Sequence, residues 1–108
     1  MSSDLPESDW RCFKEVHSKA LERYCCRILE EVAVATRGSE GTAHERYLKI
    51  FSLINEHNEQ MAKAFDDFRR STAVMQLAIM RRMELLTASE LGQFSEQTRI
   101  RVEDIASL

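Results

Sequence analysis

The sequence predicts an all-α chain: a long antiparallel helical hairpin followed by short C-terminal helices, the whole completing a dimeric helical bundle. Three observations carry this. Only 3 Gly and 1 Pro interrupt 108 residues, so few positions stop a helix. Apolar residues recur at spacings of three and four over long stretches. No stretch alternates apolar and polar residues over strand length.

The elements follow in order. Residues 1–8 read as a flexible tail carrying the only proline, Pro6, and residues 9–108 as a single helical domain. Ser8 or Asp9 offers a short side-chain oxygen to cap a helix start. From there Trp10, Phe13, Val16, Ala20, Leu21, Tyr24, Ile28, Val32 and Ala35 recur at helical spacing. They predict a helix over 9–37, with Arg37 suiting its C-terminal dipole and Gly38 its left-handed stop.

Gly38-Ser39-Glu40-Gly41 is the one clear loop. Thr42 with Glu45 then forms a capping box, in which hydroxyl and carboxylate each satisfy the other residue's backbone N–H. A short loop between two long amphipathic segments implies an antiparallel hairpin.

The second helix is expected over 43–86. Tyr47, Phe51, Ile54, Asn58, Met61, Phe65 and Phe68 alternate four and three, a heptad seam with Asn58 as its polar member. A polar residue at such a position fixes register and oligomer state. Nothing in this span breaks a helix outright, so the expectation is a helix that runs on or bends. The alternative is a break near Arg70, where Ser71-Thr72 can start a new helix.

Thr87 with Glu90 is a second capping box, opening a helical turn over 88–91 that Gly92 stops. Ser95 caps a last helix over 96–106. Leu86, Leu91 and Phe94 are expected to form an apolar corner against the main helices.

Several function classes fall away. With so few glycines, no Gly-rich phosphate loop is present. Cys12, Cys25 and Cys26 are odd in number and two are adjacent. On one helix Cys12 and Cys25 lie about 20 Å apart, so no internal disulfide is feasible and a reducing cytoplasm is expected. No signal peptide and no membrane-spanning run is seen. His17, His44 and His57 lack chelating partners at metal-ligand spacing, and no nucleophile–base pattern is present. Thus no catalytic residue, cofactor or metal is expected, although a small enzyme with an unfamiliar site stays a minor alternative.

Arg69, Arg70, Arg81 and Arg82 lie in a window, 69–83, with no acidic residue. On a continuous helix Arg70 and Arg81 share a face about 16 Å apart, a possible seat for phosphates. Asp66 and Asp67 before Arg70, and Glu84 after Arg81, are the plainer helix-surface partners. The chain is acidic overall, with a net charge of −3. Nucleic-acid binding is therefore the runner-up.

The methionines read as core filler rather than a peptide groove. The favoured function is non-enzymatic homo-oligomerisation, as a homodimer, and protein–protein interaction. Its candidate residues are Asn58, Arg69, Arg70, Arg81, Arg82, Leu86, Leu91 and Phe94. A two-helix hairpin leaves apolar positions wet, so the chain must either fold back at Arg70 or pair with a second copy.

Overall fold

A computed structural model describes residues 5–108. The fold is all-α. Helix α1 spans Glu7–Arg37 and α2 spans Ala43–Phe65. A single 3-10 turn, Arg70–Thr72, leads into α3, Ala73–Arg82. The short α4, Ala88–Gly92, and α5, Glu96–Ala106, follow. The molecule is elongated, 56 × 25 × 24 Å. Its length reflects α1, whose 31 residues at 1.5 Å each reach about 46 Å.

The chain folds back, and the continuous 43–86 helix is overturned. Helix α2 ends at Phe65, and Asp67 takes a left-handed φ of 56°. The turn is tied by side chains. The Gln76 amide donates to the Asp66 carbonyl, and the Thr72 hydroxyl donates to the Asp67 carbonyl at 2.6 Å. Burial explains why the break wins. Ala73, Val74, Gln76, Leu77, Ala78 and Met80 are all buried, which a straight two-helix hairpin would not permit. Helix α3 instead packs against α1, α2 and α5. Leu77, Met80, Leu85, Phe13, Val16 and Val102 form the centre of the core.

Helix α3 also ends earlier than expected, in a Schellman arrangement. The Leu85 N–H donates to the Met80 carbonyl at 3.0 Å and the Glu84 N–H to the Arg81 carbonyl at 3.1 Å. Glu84 fills the left-handed position at φ 58°, where glycine is the usual occupant.

Two further expectations are corrected. In the hairpin loop the left-handed residue is Gly41, with φ 78°, whereas Gly38 is extended at φ −65°. The expected tail over 1–8 does not hold for its described part, residues 5–8. Residues 1–4 lie outside the described residues, but Leu5 is buried in the core and Pro6 opens α1, its carbonyl accepting from the Trp10 N–H at 2.9 Å. Proline suits a helix start, where its fixed φ helps and its missing N–H costs nothing.

Both predicted capping boxes form, Thr42 with Glu45 and Thr87 with Glu90. Ser95 caps α5, yet Asp9 does not cap α1. Its buried carboxylate crosses to the start of α5, accepting from the Ser95 N–H at 2.9 Å. It also accepts from the Ser95 and Thr98 hydroxyls, each at 2.6 Å. Burial acts to raise its pKa, but these hydrogen bonds prevail and hold it below the ordinary value.

A second tie joins α1 to α4. The Arg23 guanidinium forks onto the Glu90 carboxylate at 2.6 and 2.7 Å and donates to the Leu85 carbonyl at 2.8 Å. Those hydrogen bonds from Arg23 keep the Glu90 pKa low against its burial.

Candidate interaction surface

The body of α3, α4 and α5 covers only one end of the hairpin. The buried residues of α1 end at Ile28, and those of α2 begin at Ala64. Every residue from 29 to 63 is at least partly exposed. The outer portion of α1 and most of α2 therefore form a two-helix arm. Beyond the Tyr24–His57 contact the arm runs about 20 Å, thirteen residues of helix.

A hydrogen-bonded relay fixes the base of the arm. The Tyr24 hydroxyl lies 2.7 Å from His57 Nδ1, and His57 Nε2 lies 2.8 Å from a Glu31 oxygen. In the tautomer with its proton on Nε2, the ring donates to the carboxylate and accepts the phenol at Nδ1. Burial pushes the Tyr24 pKa up. The hydroxyl–imidazole–carboxylate order resembles a catalytic relay, but Tyr24 is only 4% exposed and has no open side from which a substrate atom can approach. Closer to the body, the His17 ring stacks on Phe68 at 4.4 Å, and its Nε2 lies 3.1 Å from the Phe65 carbonyl.

Helix α2 divides into three sectors at 100° per residue. Arg46, Ile50, Leu53, His57, Met61 and Ala64 are half-buried or buried toward α1. Glu45, Lys49, Glu56, Glu59 and Lys63 cluster on a second, exposed sector. The third holds His44, Tyr47, Leu48, Phe51, Ile54, Asn55 and Asn58, all exposed and none of them Asp, Glu, Lys or Arg. Its large side chains are Tyr47 at 63%, Leu48 at 47%, Phe51 at 59% and Ile54 at 40% exposure. A whole aromatic side chain carries about 200 Å², so the four together leave about 400 Å² of apolar surface in water. That is the size of the largest patch on a typical monomer, and such patches are often functional.

The predicted seam thus splits in two. Met61 and Phe65 pack toward the core, while Tyr47, Phe51, Ile54 and Asn58 face outward. The spacing did not reveal which part of the seam the body of this chain would cover.

The four arginines do not share a helix face, because the chain breaks between them. Arg70 pairs with Glu7 at 2.9 Å and donates to the Leu5 carbonyl at 2.9 Å. Arg81 pairs with Glu103 at 2.9 Å, not with Glu84. Arg82 donates to the Ala106 carbonyl at 2.8 Å and to the Leu108 carbonyl, closing the end of α5. Arg69 forks onto Asp67 at 2.5 and 2.7 Å. Each thus serves the fold of this chain. The expected pairing of Arg70 with Asp66 and Asp67 is likewise replaced by the contact with Glu7.

At the C-terminal corner Phe94 is buried, and Leu86 and Leu91 are half-buried against the core. Leu86 and Leu91 line a shallow cavity of about 400 Å³ with Arg81, Arg99, Glu84 and Glu103. Its charges come in equal numbers of each sign, which favours neither an anion nor a cation. Among the described residues, no three His, Cys, Asp or Glu side chains converge as a metal site would require. Among the same described residues, no helix is long and apolar enough to cross a membrane. Comparison with protein-family models, curated proteins and solved structures finds no match for this chain.

Proposed function

We propose that this protein is a non-enzymatic assembly module that works by pairing its two-helix arm with another helical surface, a second copy of itself foremost. The observation that carries the reading is the uncharged sector of α2, from Tyr47 to Asn58, exposed in the single chain. Exposing apolar side chains forgoes about 25 cal/mol per Å². A contiguous patch of this kind beside a well-packed body has the composition of an interface centre: aromatic, apolar and free of charge.

The relay of Tyr24, His57 and Glu31 supports the same reading. It stiffens the base of the arm, so little conformational entropy is lost when the tip is covered. The arginines support the nucleic-acid alternative poorly, because each is already engaged within the chain. Three free thiols, Cys12, Cys25 and Cys26, fit the reducing cytoplasm in which we place the protein.

Sedimentation equilibrium across nanomolar to high micromolar concentration tests the proposal. The expected result is a reversible monomer–dimer equilibrium in the micromolar range, because two copies of a patch this size bring about 800 Å², in the range of weak, transient interfaces below about 1,200 Å². A chain that remains monomeric at several hundred micromolar, and that no helical partner engages through the arm, would overturn it.

A further inference from the structure

Resting on that reading, we infer that two copies pair antiparallel, α2 against α2, about a two-fold axis that crosses between Ser52 and Leu53. The order of residues along the uncharged sector argues for this. Reflected about position 52.5, Phe51 meets Ile54 of the second copy and Tyr47 meets its Asn58. Both pairs recur on the other side of the axis, as a two-fold interface requires. Each layer sets a large ring against a smaller side chain, so the layers interdigitate rather than clash.

The polar residue also finds a partner. The Asn58 amide meets the Tyr47 hydroxyl across the interface, and both are exposed without a side-chain partner on this sector of the single chain. A parallel pairing would instead stack Asn58 on Asn58, Tyr47 on Tyr47 and Phe51 on Phe51. It would also bring both arm tips together, with Glu40 and Glu45 beside their own copies, which costs like-charge repulsion.

The flanks agree with the second copy as occupant. On the side away from α1 the sector is bordered by Leu48 and Asn55, and the antiparallel register sets one beside the other. Apart from Arg46, which lies toward α1, the Asp, Glu, Lys and Arg residues of α2 lie on the remaining exposed sector and stay in water. An acidic or basic partner has no complementary charge to find on this face. The four large apolar side chains of each copy bring about 800 Å² in total, and the polar and α1 margins raise this toward the 1,200 Å² at which specific interfaces begin.

Spin-label distances test the inference on the full chain, with Cys12, Cys25 and Cys26 replaced by serine. One variant, Glu40→Cys, labels the arm tip; a second, Ser52→Cys, labels the helix beside the axis. The antiparallel register predicts tips about 40 Å apart and Ser52 labels about 20 Å apart across a helix–helix spacing of 8–10 Å plus the two label arms. A dimer whose tips lie within about 20 Å overturns the antiparallel register and leaves the arm as the interface. A dimer with both distances long overturns the arm as the interface. A monomer by light scattering at the labelling concentration, for the unlabelled parent chain as well, overturns both.

Discussion

Replacing Phe51 with alanine separates the arm's role in assembly from any role in folding. Phe51 is 59% exposed, so about 120 Å² of its ring lies in water in the single chain. Covering that area is worth about 3 kcal/mol at 25 cal/mol per Å², and the two-fold axis doubles it. Only part of the ring is covered in any real layer, and area converts incompletely into affinity. Taking half leaves about 3 kcal/mol, which is roughly a hundredfold in Kd. The fold of the single chain loses little, since exposed positions away from caps and ion pairs change stability by about 0.5 kcal/mol or less. Sedimentation velocity over a concentration series, with thermal melting on the same samples at low concentration, makes the measurement. An unchanged Kd, or a melting temperature that falls sharply while affinity holds, would refute the reasoning.

Four other outcomes are expected. Glu84→Gly stabilises the chain by about 0.5–1 kcal/mol, because a left-handed φ of 58° disfavours a side chain; chemical denaturation reads it. Glu90→Ala destabilises by about 2–3 kcal/mol, since it strips the Arg23 fork and half of a capping box; partial exposure of Arg23 keeps the loss below that of a fully buried pair. Both Asp9 and Glu90 have lowered pKa values, so the native state stabilises their charged forms. That contribution is complete above their ordinary values near 4 and is lost as the pH falls through that range toward the depressed native values. Urea melts from pH 6 to pH 2 therefore show falling stability below about pH 5, and Asp9→Asn flattens part of the slope. Asn58→Leu tightens the dimer but loosens its uniqueness, seen as a broader distance distribution between Ser52 labels.

Local chemistry made much of this fold legible. The two capping boxes and Ser95 needed only side chains three residues from their targets, and they set three helix starts. The break after Phe65 was harder to see. Its signals were Asp66-Asp67, residues that tolerate turns, and the uncharged run from Ser71 to Met80. Such a run is poorly suited to a helix with one wet face and well suited to one enclosed by neighbours. Asp9 was misread because a local rule assigned it to its own helix, while its partners lie 86 and 89 positions away. The same distance problem hid Arg23 with Glu90 and Arg70 with Glu7. Of the candidate site, the seam and Asn58 were visible in the spacing. Which half of the seam the body would cover depends on where the chain folds back, and periodicity carries no information about that.

The most direct test of the arm as the assembly surface is a residue-resolved dilution series. Amide chemical shifts recorded from millimolar to micromolar concentration should move at Tyr47 to Asn58. Those of α3 and α5 should hold still. Shifts that move instead around Leu86, Leu91 and Arg99, or that stay fixed everywhere over the same range, would contradict the account.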